Sequence, residues 1–443
     1  MCDSDALMLT GMLTDRSSPV RAARASSFYG WKLLAVFWLI LLANLGFPMY
    51  GGAFLNSMMA THLGFSRQML GLPFSVFLGT VGLSSPLVAA LIKRFGVRST
   101  LVLGNGCVAC GALIMGTLVT SGVVATIVFG IVVGFGVAAG GNLTAQTAIP
   151  RWFVRRRSLA FAIMLTASAT GGFVAPPLMN AVIGPSGDSW WLGWIVLAAI
   201  AVGAALLAAL YVREAPEDLG QFPDGATTAL GSDAGTRTAG QSISLEEAVR
   251  AAPFWVISLA SACATGAFGL ILAHGVANAR DAGYSAVDAA LVLSFVSLSG
   301  FAGKAIAGGG GDRWNPALIW SGLMFTMAVG LAIATAGTNF GGPYASAIAM
   351  GAGFGGIVVC QPATIARFFG TNHFARLAST VYFLQAIAGI LLPWAAGWAF
   401  DRFHTYGPGF LGSALACLAS GILLVVFCRD APRSGQHGQI DPP

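Results

Sequence analysis

Residues 123–157 read VVATIVFGIVVGFGVAAGGNLTAQTAIPRWFVRRR. No charged side chain falls between Val123 and Pro150, and then Arg151, Arg155, Arg156 and Arg157 follow within seven positions. A bilayer core takes about 20 predominantly apolar residues as one helix. Basic residues packed directly after such a run mark the end that stays in the cytoplasm. The stretch is read as a membrane helix over 123–148, its C-terminal end inside.

The same pattern recurs along the chain. Further spans are expected near 31–55, 69–92, 99–120, 158–183 and 191–212, and again near 254–278, 288–311, 316–337, 342–368, 376–400 and 408–428. Composition agrees. The 443 residues are 56% hydrophobic and 9% charged, against about 25% charge in a soluble domain. The net charge of +6 does not indicate nucleic acid, because the basic residues sit in short clusters between apolar runs. With the N-terminus inside, 19 of the 23 Lys and Arg residues fall on the cytoplasmic side, Arg67, Arg280 and Arg402 fall outside, and Lys304 lies within a span. Trp190, Trp191 and Trp194 suit an interfacial aromatic belt.

The chain is thus expected to be an all-α membrane protein of twelve helices. Residues 1–27 read as a disordered cytoplasmic tail rather than a cleavable signal, since Asp3 and Asp5 precede a short, interrupted apolar run. A six-helix bundle over 28–212, a cytoplasmic linker over 213–253, a second bundle over 254–428 and a tail over 429–443 follow. Ser244, three residues before Glu247, predicts a capping box at the end of the linker. Cys107 and Cys110 form a C-x-x-C inside an apolar run with no second ligand pair, which points to packing and not to a metal. No cofactor loop, metal cluster or nucleophile–base pair is found, so an enzyme is not expected.

The halves repeat. The span over 123–148 holds Gly130, Gly134, Gly136, Gly140 and Gly141, then Gln146 and Arg151-Trp152-Phe153. The span over 342–368 holds Gly351, Gly353, Gly355 and Gly356, then Gln361 and Arg367-Phe368-Phe369. Paired six-helix halves are a transporter layout, with the substrate site near the midplane between them. The G-x-G-x-x-G of Gly351–Gly356 has no strand before it and is read as chance.

These residues, with others, carry a resemblance. Tyr29-Gly30-Trp31 opens the first span. Lys93-Arg94-Phe95-Gly96-Val97-Arg98 and Gly308 to Asp312-Arg313 occupy paired loop motifs. Pro216-Glu217-Asp218-Leu219-Gly220, Asp281-Ala282-Gly283, Gly303-Lys304 and Gly397 to Asp401-Arg402 follow in order. Together they resemble the major facilitator superfamily, in the bacterial branch related to monocarboxylate porters and oxalate:formate antiporters. The resemblance implies two pseudo-symmetric six-helix halves and alternating access. Lys93 stands where the first loop motif carries Asp. Met49 stands where eukaryotic monocarboxylate porters carry a lysine, and Gly300 where they carry an aspartate four residues before the basic position, here Lys304. These departures leave the coupling ion open.

Lys304 lies eight residues before Asp312, about 12 Å along the helix. A charge at that depth costs about 2.5–3.5 kcal/mol on an insertion scale, and all seventeen Asp and Glu residues lie in loops, tails or helix ends. Snorkelling would answer this, but helical side chains tilt toward the N-terminus, here away from the nearer interface. A neutral lysine is the other bland answer. The functional one is an ammonium facing a central cavity and an anionic cargo. Asn44, Tyr50, Asn142, Gln146, Gln361, Tyr382 and Gln385 are further cargo-binding candidates, with interhelical hydrogen bonding as the competing role. His274, Arg94, Arg98, Asp312 and Arg313 are candidates for gating or coupling.

The expectation is a secondary active transporter of a small organic anion, a monocarboxylate or aromatic carboxylate, in the cell inner membrane with both termini cytoplasmic. Its partners are that anion, the bilayer and, as one coupling candidate, protons. It is expected to act as a monomer. The competing readings are an exporter of amphipathic or drug-like compounds and a non-transporting membrane sensor.

Overall fold

The computed structural model describes residues 28–64, 67–184, 189–226, 243–281, 283–284, 286–336, 342–403 and 405–429. The expected tails, Arg429 excepted, and residues 227–242 of the linker lie outside this set.

Helix α1 runs through three consecutive segments, Tyr29–Leu41, a π-helical stretch Leu42–Gly51, and Gly52–His62. Pro48 lies inside the π stretch; its missing N–H leaves an intrahelical carbonyl unpaired, and the wider π turn absorbs the defect. Helix α2 spans Arg67–Leu83 and α3 spans Ser85–Thr117. The start of α3 completes the second crossing. The backbone then turns at Gly96 (φ 82°, ψ 174°) and returns as the third. A glycine is needed for that angle. The remaining helices are α4 (Gly122–Trp152), α5 (Arg157–Ile183), α6 (Trp190–Tyr211), α7 (Ala252–Asp281), α8 (Ala286–Gly311), α9 (Pro316–Ala336), α10 (Gly342–Phe369), α11 (Phe374–Phe403) and α12 (Gly407–Cys428). Each expected span coincides with one of these crossings. Ten helices among the described residues are long and apolar enough to cross a membrane on those grounds alone; α2, with the shorter apolar run Leu72–Leu83, and α8, with its lysine, complete the twelve.

Alternate helix ends meet on one face, called here the linker side. Tyr29 N–H donates to Gln221 Oε1 (2.9 Å) and Tyr29 hydroxyl to the Tyr211 carbonyl (2.8 Å). Ile243 N–H donates to the Phe369 carbonyl (3.1 Å), Arg376 pairs with Glu246 (3.1 Å), and Asn315 donates to the Cys428 carbonyl (2.8 Å). Ser244 and Glu247 form the predicted capping box over the one-turn helix Leu245–Ala248.

Helix contacts follow a six-step repeat. In the first half α1 packs on α5, α2 on α4, and α3 on α4 and α6; in the second, α7 on α11, α8 on α10, and α9 on α10 and α12. The halves meet through α5 with α8 and through α2 with α11, pairs that exchange under the same repeat.

Helix α12 shows how the chain suits its solvent. Phe410, Ala414, Cys417, Gly421, Leu424 and Cys428 are buried, while Leu411, Leu415, Leu418, Ile422 and Val426 face outward. Both stripes follow helical spacing and both are apolar. Hydrophobicity therefore does not drive this packing; close fit of small residues does. The α8–α10 seam is the extreme case. A Cβ on Gly355 would stand 2.6 Å from Gly300 Cα, and one on Gly356 would stand 2.8 Å from the Gly303 carbonyl oxygen. The G-x-G-x-x-G is a packing surface.

Candidate functional site

Lys304 sits in the lower half of α8 and is buried, at 9% exposure. Its rotation is set by neighbours on the same stripe. Phe301, three residues before, stacks at a tilt on Phe173 of α5 (6.1 Å), and Gly308, four residues after, abuts Ala162 of α5. Residues at i, i+3 and i+7 share one face, so Lys304 lies on the face of α8 turned to the other half. Its ammonium stands 5.8 Å from the Phe301 ring centroid, within cation–π range. The one ion pair found among the described residues is Arg376–Glu246, far along the chain on the linker side.

The amide and phenol candidates divide into separate groups. Across the halves, Tyr382 hydroxyl of α11 donates to Gln146 Oε1 of α4. One turn further along α11, Gln385 Oε1 accepts from Gln361 Nε2 of α10 (2.9 Å), which also donates to Ser261 Oγ of α7 (3.0 Å). Tyr382 and Gln385 thus stack two hydrogen-bonded links on one helix face. Tyr50 is half-buried with its ring over Gly172, which precedes Phe173; a Cβ on Gly172 would meet it at 3.4 Å. Tyr50, Phe173 and Phe301 place aromatic surface around the same turn of α5 that faces Lys304.

Asn44 is turned elsewhere. At 0% exposure it donates to Asn105 Oδ1 of α3 (3.2 Å) and to the Gly136 carbonyl of α4 (3.4 Å). It links three helices of the first half, the interhelical role named above as the competitor to cargo contact. Polar side chains at membrane depth reward interhelical bonding as readily as cargo contact, and the helix rotation decides between them. Asn142 opens the second segment of α4 after a break at Gly141.

The gating candidates work mostly through backbone. Asp312 accepts Ser158 N–H at Oδ1 (2.6 Å) and Leu159 N–H at Oδ2 (3.1 Å), capping the start of α5 from the other half. Such a cap offsets amides that a helix start leaves unpaired. Arg157, buried beside this cap, has Asp224 and Asp312 as its favourable electrostatic neighbours. At the first loop motif the side chains of Arg94 and Arg98 are exposed, Arg94 lying over Phe95 (5.2 Å). There it is Glu214 that binds the Val97 and Arg98 amides (3.0 and 2.9 Å). Asp224 does the same for Val154 and Arg155 (3.1 and 2.8 Å). Arg313 is exposed. His274 lies on α7, and its side chain is outside the described residues. Glu214, Asp224, Ser261, Asn105 and the Phe173–Phe301 pair were not singled out from sequence. The linker acids gave no local signal, since the amides they bind lie more than sixty residues away in sequence.

The comparisons with known proteins accord with this geometry. The family model described as Major Facilitator Superfamily matches residues 36–393. Among curated proteins, the uncharacterized MFS-type transporter YcxA of Bacillus subtilis is 22% identical over 83% of this chain and 90% of its own length. Human monocarboxylate transporter 11 is 25% identical over 85% of this chain and 78% of its own length. Among solved structures, the proton:xylose symporter XylE superposes with a TM-score of 0.70 at 15% identity, covering 90% of this chain and 96% of that one. The human organic anion transporter MFSD10 superposes with a TM-score of 0.65 at 15% identity, covering 89% and 99%.

Proposed function

The chain belongs to the major facilitator superfamily and is a secondary-active membrane transporter, not an enzyme; from that premise we propose that its cargo is a small organic anion, a monocarboxylate or aromatic carboxylate, held by Lys304. The observation that carries this is the ammonium itself, buried at 9% exposure on the α8 face turned to the other half. A buried charge without a counter-charge costs several kcal/mol. An anion entering between the halves removes that cost, and it does so only at the depth where alternating access places a cargo. The aromatic surface of Tyr50, Phe173 and Phe301 suits the apolar part of such an anion. A cationic cargo would meet repulsion there.

The relative named as a monocarboxylate transporter and the structural neighbour named as an organic anion transporter support the same class. The linker side carries the exposed clusters around Lys93, Arg94 and Arg98 and around Arg151, Arg155 and Arg156, which supports a cytoplasmic assignment for that side and an inner-membrane location. The halves are latched there by Asp312, so the cargo site would be reached from the opposite side. Coupling would run through protons carried with the cargo or on Lys304, or through exchange. Uptake into proteoliposomes, comparing lactate-like, aromatic and dicarboxylate anions with organic cations, tests the class. Saturable flux of a monoanion is expected, and flux confined to cations would overturn the proposal.

A further inference from the structure

Two aromatic rings, one from each half, meet beside the Lys304 ammonium. The lysine reaches back along α8, as helical side chains do. Its Nζ stands 3.8 Å from the point a Cβ on Gly300 would occupy, one turn toward the end of α8 away from the linker side. That brings it level with Phe301, whose ring centroid lies 5.8 Å from Nζ. The Phe173 ring of α5 lies 6.1 Å from the Phe301 ring, at an interplanar angle of 36°. The rotation of α5 puts it there. Gly171 abuts Gly46 and Ala175 lies against Gly51, so both face α1. Residue 173, two positions on from Gly171, is turned about 200° around the helix, toward the other half. Both rings keep open surface at this seam, Phe173 being 56% exposed and Phe301 half-buried. Aromatic surface left open beside one convergent charge is the make-up of a ligand site.

A carboxylate held by Nζ carries its substituent against this pair of rings. Saturated and aromatic substituents both bury apolar surface there, but only an aromatic one adds ring–ring attraction. That attraction is worth about threefold to tenfold in affinity for each ring it meets. Conjugation also keeps an aryl ring and its carboxylate in one plane. The ammonium that fixes the carboxylate therefore orients the ring, and less freedom is lost on binding. We propose that Phe173 and Phe301 determine specificity, selecting a carboxylate joined directly to a flat aromatic ring over a saturated acid of the same size. The proposal rests on the reading of Lys304 as the partner of the cargo carboxylate, and narrows the class of anion to aryl carboxylates.

The test is proteoliposome uptake of benzoate and of cyclohexanecarboxylate, monoanions of similar size that differ in the planarity of the ring, with lactate alongside. In the native protein KM for benzoate is expected to be lower by about threefold to tenfold. Phe173→Leu and Phe301→Leu keep apolar bulk and remove the ring face, so the ratio of the two KM values should fall toward one in each. Phe173→Tyr, which keeps a ring, should preserve the ratio. Both KM values are taken within one variant, so a loss of folded protein cancels. Equal KM values in the native protein would overturn the proposal, as would a ratio unchanged in both leucine variants. Saturable lactate flux with neither ring acid carried would overturn it and leave the reading of Lys304 standing. Flux of none of the three anions would overturn both.

Discussion

Tyr382 of α11 donates its hydroxyl to Gln146 Oε1 of α4, a side-chain bond between the two halves made beside the buried Gln361–Gln385 link. Alternating access requires these helices to part, so the bond favours the state closed on the linker side. Tyr382→Phe removes it and leaves a buried acceptor unpaired, which costs about 1–3 kcal/mol. The closed state should lose population about fivefold or more. Alkylation of a cysteine placed on the linker-side end of α4 should speed up accordingly; an unchanged rate would mean the bond does not latch the halves.

Asp312 gives the latch a pH dependence. Burial pushes its carboxyl above the ordinary aspartate range, against the opposing pull of the Ser158 and Leu159 amides and of Arg157. When α5 and α8 separate, the carboxyl returns to water and to its ordinary value. The closed state thus holds the proton more tightly. Its advantage is complete below the ordinary aspartate range and is lost as pH rises through the elevated value. Linker-side alkylation should slow on mild acidification, and Asp312→Asn, permanently uncharged, should abolish the dependence. Faster alkylation in acid would reverse the assignment.

The glycine seam is predicted to have no tolerance. In Gly355→Ala the new methyl meets the Gly300 carbonyl oxygen and stands 2.6 Å from Gly300 Cα, and two helix backbones must separate. Overpacking of this kind costs about 1–3 kcal/mol, and the unfolding midpoint in detergent should fall by several degrees. Gly106→Ala, where a Cβ meets nothing within 4 Å, is the matched control and should be neutral.

The twelve crossings were legible because depth in a bilayer is written in composition, and the glycines of α4 and α10 told which faces approach closely. Rotation about each helix axis was not written there. Asn44 and Gln146 are both lone polar residues at membrane depth, yet one turns into the first half and the other across to Tyr382. In lipid both faces of a helix are apolar, as α12 shows, so no hydrophobic stripe reports which way a polar side chain points. The roles of Glu214 and Asp224 were hidden for another reason. Each binds backbone amides more than sixty residues away in sequence, Glu214 at the restart of the α3 helix after Gly96 and Asp224 in the turn before α5, and such a partner is chosen by the fold rather than by local spacing.

Anion uptake by Lys304 variants tests the central claim most directly. Lys304→Arg keeps the charge in a different shape and Lys304→Ala removes it. Saturable monoanion flux into proteoliposomes should vanish in Lys304→Ala, with the protein still folded, and be partly retained in Lys304→Arg. Flux of equal affinity and rate in the native protein and both variants would contradict the account.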